Sequence, residues 1–439
     1  DLEQILSGFG FRVLCFDGNE VGEVRQALGD AADSATPTVL LARTAKGAGV
    51  SFMAANTAPR RAYGWHGGVP SPAEYRTALD ELSVTLRNRE LRTEIAAFEL
   101  GAEGPKTRRL KGERVALSTG TAFAHALEGA AESDDRIVVL DADLEKPCRL
   151  GGFAARFPER FLEMGIAEQD MVSCAGGLAL QGRLPVVNTY GSFFRRAFEQ
   201  VYVNATEETS VVYAGHYSGL CYTTDGKTHQ CTGDVAMMRS IPGMKVFVPA
   251  FAEDVAEIFE WCRTTEDKGP AYIRLHRTPA PVCRPDDDSG FRYGIGTRVR
   301  DRGSGDAVVT AGPHTTAFCA EASDRLREDD GLSFDVVALS TLHRLDPGFG
   351  EELRRRYRRI VVIEETVAAG GVLDLLVGAW SGAGDCVSGV LPRLYHRAAD
   401  AMTGSTRDPL GLYRRFGLDP DSLVEFLAGL LSETGGVQP

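Results

Sequence analysis

The stretch Glu168-Gln-Asp-Met-Val-Ser-Cys-Ala-Gly-Gly-Leu-Ala-Leu180, followed by Pro185-Val-Val-Asn-Thr189, decides how this chain folds. An almost wholly apolar helical stretch turns into a short apolar strand, and the same alternation repeats on both sides. Strands are expected at 137–140, 185–189, 211–214, 245–248 and 271–274, and helices near 122–131, 168–180, 195–205 and 252–263. Strands alternating with helices are βαβ units, and these build a parallel sheet covered on both faces. Upstream, strands at 11–16 and 38–42 flank a helix over 20–34 with Val21, Val24, Ala27 and Leu28 at helical spacing. Two strands cannot bury themselves, and the chain begins at Asp1 without methionine. The first layer therefore reads as the tail of a larger domain. A charged stretch over 72–100 is expected to be helical. The basic connector 104–114, with Lys106, Arg108, Arg109, Lys111 and Arg114, reads as a solvated linker. Beyond a polar boundary turn at 286–290, strands are expected at 307–310, 334–339 and 360–363, with a closing helix near 422–431. The expected class is α/β, with three consecutive parallel-sheet domains and the first incomplete. The expected division is 1–85, a linker at 86–113, 114–285 and 290–439.

Composition narrows the function. Of 439 residues, 43% are hydrophobic and 25% charged, which suits several packed cores. With 48 basic and 61 acidic side chains the net charge is −13, a poor match to a phosphate backbone, so nucleic acid is not expected as a partner. The longest apolar run, around 367–380, is interrupted by Gly and Asp and falls short of the roughly 20 residues a bilayer demands. No membrane association is expected. Nine widely spaced cysteines without a C-x-x-C pair argue against a disulfide scaffold or thiolate zinc, and for reduced thiols in a cytoplasmic protein.

Several clusters bear chemistry. Two glycine-rich turns, Arg43-Thr-Ala-Lys-Gly-Ala-Gly-Val50 and Gly64-Trp-His-Gly-Gly68, follow a strand end, where open parallel sheets bind ligands. Taken singly, such turns are more often only tight loops. Glu168 opens the apolar helix. It has two readings: a first-turn acid complementing the helix dipole, or an acid held in a dry cleft where burial favours its protonated form. Tyr190-Gly-Ser-Phe-Phe-Arg-Arg-Ala-Phe-Glu-Gln200 brings aromatics and two arginines to a strand-to-helix turn, with Phe193 or Phe194 able to be core. Thr224-Asp-Gly-Lys-Thr-His-Gln230 places Asp225 and His229 on one loop, without a serine elbow or an HExxH motif.

Together these motifs resemble the thiamine-diphosphate transketolase superfamily over nearly the whole chain. The signs are KGAGVSFM at 46–53, WHGG at 65–68, DADL at 141–144, GIAEQDM at 165–171 and YGSFFRRAFEQ at 190–200. DGKTHQ at 225–230, RLHR at 274–277, IEETVAAGG at 363–371 and LYRRFGLD at 412–419 complete the series. The resemblance implies a thiamine-diphosphate-binding fold, split between a diphosphate-binding and a pyrimidine-binding domain, with a C-terminal Rossmann-like domain. It implies that Glu168 hydrogen-bonds N1′ of the cofactor's aminopyrimidine and favours its imino tautomer, that Phe193 stacks on the pyrimidine beside Tyr190, and that Asp143 and Lys46 lie among the cofactor contacts. His66 and His229 would bond substrate carbonyl and hydroxyls, Asp225 would read a hydroxyl, and Arg196 and Arg277 would hold an anionic group through forked contacts.

Two departures stand out. The stretch 215–225 is one residue longer than usual and has Thr-Thr where the family tends to Gly-Glu, so no role is carried over to His216. Leu117-Ser-Thr-Gly-Thr121 stands where the family commonly places a phosphate-binding arginine. No G-D-G…N motif exists, so the ligands of Mg²⁺ and the diphosphate are expected upstream of residue 1 or on a partner, and no residue here is assigned to metal. The implied activity is transfer of a two-carbon ketol unit from a ketose to an aldehyde. The implied partners are these small substrates, a second copy in a homodimer, and a companion N-terminal subunit or upstream segment. The alternatives are a 1-deoxyxylulose-5-phosphate synthase-like decarboxylating condensation of pyruvate, favoured by YGSFFRRAFEQ, and a non-catalytic partner subunit. A 2-oxoacid dehydrogenase β-type subunit fits less well, because those chains lack the N-terminal tail.

Overall fold

In the computed structural model, residues 1–54, 65, 70–85, 93, 117–221, 225–267, 269–280, 282–285, 289–381, 391–406, 408, 410 and 411–432 are described. They fall into two compact units, Asp1–Lys106 and Thr107–Pro439.

In the first unit, β1 (Arg12–Asp17) pairs in parallel with β2 (Thr38–Arg43), in register from Arg12 against Thr38 to Asp17 against Arg43. Helix Val21–Ala32 makes the crossover. Beyond β2 the chain turns through Gly47 and Gly49, both at positive φ, into the short helix Ser51–Ala54. The Glu81 carboxylate of helix Pro72–Thr85 accepts from the Ser51 N–H and hydroxyl at 2.6 and 2.7 Å, tying that turn to the helix. Two strands bury little: Leu2, Ile5, Phe9, Val21 and Leu28 stay exposed, and the buried apolar residues described here are Ala27, Val50 and Ala78. The linker expected at 86–113 lies, apart from Thr93, outside the described residues.

The second unit holds two sheets. A six-stranded sheet has the order β4-β3-β5-β6-β8-β7, from β3 (Ile137–Asp141), β4 (Phe161–Glu163), β5 (Leu184–Tyr190), β6 (Val212–His216), β7 (Lys245–Phe247) and β8 (Ala271–Arg274). All its pairings are parallel. Every residue of β3, β5, β6 and β8 is buried, which is why these strands read as continuous apolar runs and do not alternate. Helix Glu168–Leu180 lies where the sequence places it. The helix expected over 195–205 begins instead as a 3₁₀ turn, Phe193–Ala197, and continues as Phe198–Thr206.

The second sheet has the order β13-β12-β10-β11-β9. Its strands are β9 (Thr297–Arg300), β10 (Asp306–Ala311), β11 (Asp335–Leu339), β12 (Arg359–Glu364) and β13 (Arg393–Ala398). The pairings are parallel except that β9 runs antiparallel along β11, an edge the sequence reading did not include. One apolar core runs through both sheets, from Val138, Met171, Phe194 and Val246 to Val309, Leu345 and Phe349. Fully burying side chains of this size contributes about 1.5–3 kcal/mol each. Backbone bonds join the layers as well: Val248 N donates to Ser340 O, and Leu342 N to Val246 O at 2.8 Å. No helix among the described residues is long and apolar enough to cross a membrane.

Candidate active site

The site is built at the carboxyl ends of β3, β5 and β6, where the strands stop and their loops diverge. Helix Glu168–Leu180 starts at Ala167, which offers no side-chain cap. Its inner face is Met171, Val172 and Ala175, all fully buried. Glu168 is buried with them, 5% exposed, and its Oε2 has no hydrogen-bond partner among the described residues. Arg196 stands close, its Nε 3.8 Å from that oxygen, with its side chain 63% exposed. A first-turn acid serving only the helix dipole has no need of burial. A buried carboxylate oxygen with no donor is costly, and it marks a place where a donor from outside the chain would fit.

The turn that carries Arg196 also opens a row of rings. Tyr190 ends β5, and the 3₁₀ turn that follows brings Phe193 to it, centroids 5.2 Å apart and 20° from parallel. On its other side Tyr190 stacks on Tyr217 at 4.3 Å and 16°. The His229 ring meets both Phe193 and Tyr190 edge-on, at 5.3 and 6.0 Å. Spacing alone left Phe193 and Phe194 as alternatives, with the motif pointing to Phe193, and burial separates them. Phe194 is fully buried against Tyr213 and Tyr272, while Phe193 is half-buried and belongs to the row. Arg277 stands over Tyr217, its guanidinium 5.3 Å from the ring centre. Arg196 and Arg277 thus sit at different places, one beside Glu168 and the other at the Tyr217 end.

Asp143 follows β3 at φ 59°, an unusual backbone for a non-glycine residue. One oxygen of Glu163 holds that bend, accepting from Asp143 N and Gly165 N at 2.8 Å each. The same carboxylate therefore ties the Asp143 loop to the turn leading into Glu168. Beside Glu163, burial pushes the Asp141 carboxyl well above the usual carboxylate range, and the Glu163 charge adds to it. Asp225 and His229 share a tight turn in which His229 N donates to Gly226 O, and Thr228 Oγ1 lies 2.9 Å from His229 Nδ1. Lys46 belongs to the first unit, in the turn after β2. His66 lies outside the described residues.

The structure adds residues that the motifs did not single out. Tyr217, at φ 56°, completes the row; its only sequence signal is an aromatic just past a strand end. His216 is buried, with Nε2 3.1 Å from Asn188 Oδ1, and burial followed by the nearby Arg149 charge lowers its pKa to about 3. It is a neutral core histidine. Among the described residues, no group of three or more His, Cys, Asp or Glu side chains could hold a metal ion.

Comparison with known proteins gives this arrangement its family. A model of the transketolase pyrimidine-binding domain matches residues 115–281, and one of the transketolase C-terminal domain matches 296–423. A putative transketolase family protein of Sinorhizobium fredii is 32% identical over 308 residues, 69% of this chain and 80% of its own. A 1-deoxy-D-xylulose-5-phosphate synthase of Treponema pallidum is 29% identical over 379 residues, 85% of this chain. Among solved structures, a split-gene transketolase described as an inactive β4 tetramer aligns with TM-score 0.62 and 30% identity, covering 72% of this chain and 99% of that one. The chain belongs to the transketolase family. It spans about half the length of the Treponema synthase, 53% of it.

Proposed function

We propose that this chain is the pyrimidine-binding part of a thiamine-diphosphate-dependent enzyme that moves a two-carbon ketol unit from a ketose to an aldehyde. The observation that carries the reading is Glu168 Oε2, buried and without a donor among the described residues, 3.8 Å from Arg196 Nε on the same 3₁₀ turn as Phe193. Both fit an aminopyrimidine: the carboxylate would hold a proton at N1′, and the ring would stack. When bound, thiamine diphosphate supplies the nucleophilic carbon that carries the transferred unit. The protein's own residues do the rest. Met171 and Val172 keep water from the Glu168 carboxylate, His229 and Asp225 would bind substrate carbonyl and hydroxyls, and Arg277 would take an anionic group near Tyr217. Asp143 and Lys46 remain candidate cofactor contacts, and His66 a candidate substrate ligand. The same reading divides the chain into 1–85, 86–113, 114–285 and 290–439.

The reading also assigns partners. The diphosphate and Mg²⁺ would be held by a companion subunit or preceding segment that adds to the bare two-stranded sheet of the first unit. A second copy would cover the face formed by Leu180, Tyr202 and Val203, which are 61%, 46% and 52% exposed. That face borders a cavity of about 400 Å³ lined by Ser173, Gly176, Gly177 and Gln200 among others. The deciding assay offers a panel of ketoses, pyruvate and aldehydes to the chain together with its companion half, with products read by mass spectrometry. Two-carbon transfer without carbon dioxide is the expected result. Carbon dioxide release from pyruvate would replace this reading with a deoxyxylulose-phosphate synthase-like condensation, which the similarity to the Treponema synthase favours as the second reading.

A further inference from the structure

The loop bearing Asp225 and His229 leaves β6 and returns at helix Asp234–Arg239. Its stems meet where Gly219 N donates to Cys231 O at 2.8 Å. Much of what fixes those stems comes from the C-terminal layer, over a hundred residues away in sequence. Glu365, 1% exposed just past β12, accepts from Leu220 N at 3.3 Å on one stem. Its other oxygen accepts from Arg274 Nη1 at 3.0 Å, and Arg274 Nη2 donates to Cys231 O at 2.9 Å on the other stem. Tyr413 OH and His276 complete the set of groups around the carboxylate. Gly219, at φ +83°, leaves the space: a Cβ there would lie 2.7 Å from both Glu365 oxygens. Two further bonds and one close backbone approach come from the same layer. Gln230 Nε2 donates to Gly404 O at 2.9 Å, Val367 N donates to Thr232 O at 3.0 Å, and a Cβ on Gly226 would meet Ser405 Oγ at 2.7 Å.

We propose that the C-terminal layer is the positioning platform of the substrate loop, with Glu365 its principal positioning residue and the Gln230–Gly404 bond a second anchor. The layer sets where Asp225 and His229 stand. A buried carboxylate surrounded by donors is held rigidly, because each donor and the Arg274 charge would be left unsatisfied if it moved. The loop stems inherit that rigidity. The loop's role in binding substrate rests on the proposed function; its anchorage does not.

The test uses two variants of the full chain. Glu365→Gln sets an amide donor among donors. Gln230→Met removes the bond to Gly404 at nearly constant volume, and Gln230 Oε1 has no partner among the described residues. Hydrogen exchange at the backbone amides of Gly219, Leu220, His229 and Cys231 should quicken by about tenfold in Glu365→Gln and by a few-fold in Gln230→Met, with exchange in β3 and β5 unchanged. With the companion half present, the KM for the ketose should rise by a similar factor while the dissociation constant for thiamine diphosphate stays within about twofold. Unchanged loop exchange in a folded variant overturns the proposal, and so does a rise spread evenly over the whole sheet. Should Glu365→Gln not fold, Gln230→Met decides alone. Absence of ketol transfer in the unmutated protein defeats the functional reading, while the exchange result still judges the platform.

Discussion

Glu168 and Phe193 are the residues on which the proposed chemistry turns, and each has a neighbour that serves as its control. Glu168→Gln keeps the shape but cannot share a proton with N1′ in the required sense. Losing a positioned acid–base contact typically costs ~10²–10⁴ in rate. Turnover should fall by that factor with the denaturation midpoint unchanged, and near-normal turnover in the folded variant would remove Glu168 from the mechanism. Phe194→Ala empties a fully buried site and should destabilise the fold by about 3–5 kcal/mol in denaturant titration. Phe193→Ala, half-buried in the cleft, should cost the fold about 1 kcal/mol or less and instead weaken thiamine diphosphate binding, measured by calorimetry. The sequence marks Glu168 as an acid ahead of an apolar helix, a local pattern, but leaves open whether it serves the helix dipole or the cleft. Composition and spacing do not choose between the adjacent phenylalanines, which lie on one short turn; the motif points to Phe193, and the burial of Phe194 against Tyr213 and Tyr272 agrees with it.

At the scale of elements, helix Glu168–Leu180 makes two contrasting predictions with adjacent glycines. A Cβ on Gly176 would lie 2.0 Å from Asn204 Oδ1, and the Asn204 amide is committed to Val172 O at 2.8 Å and Tyr213 OH at 3.0 Å. Gly176→Ala should therefore destabilise by about 1–3 kcal/mol through overpacking. Gly177 has nothing within 4 Å of its would-be Cβ, so Gly177→Ala should be neutral, or stabilising by up to about 1 kcal/mol, in the protomer through helix propensity. Thermal melts of both variants, with dimer dissociation measured beside them, check the pair. The central strands were readable because burial on both faces demands unbroken apolar runs. The edge strands of the second sheet were not: β9 is Thr-Arg-Val-Arg with one buried residue, and β13 begins on an exposed arginine and carries His396 and Arg397. Helix Pro313–Asp330 hides for the opposite reason, because it buries His314, Thr315 and Thr316 among its apolar residues and so lacks a clean apolar stripe.

The whole molecule carries a pH signature. Burial, the largest cause for each, lowers His216 and His314 to about 3 and His343 to about 4. The unfolded chain takes up these protons near pH 6.5, whereas the folded chain takes them up only near pH 3–4. The stability they contribute is full above pH 6.5 and is lost as pH falls toward 3. Asp141, raised by burial, has the opposite sign and loses its contribution as pH rises. The urea midpoint should fall between pH 7 and pH 5, and the fall should shrink in His343→Gln; an equal fall in that variant would exclude His343 as a contributor. At the same scale, the chain without its companion should bind Mg²⁺-thiamine diphosphate weakly and not turn over, and tight binding with turnover would defeat the shared-site reading. The amino-acid sequence alone determined the α/β layering, the order of the buried strands and the family motifs, because these depend on periodicity and on residues close together in the chain. Only the tertiary structure decided that Tyr217 joins the ring row, that His216 is core, and that Glu365 holds the loop of Asp225 and His229. Those relations join residues as far apart as Leu220 and Glu365, and they exist only once two sheets have packed and their buried polar groups have found partners.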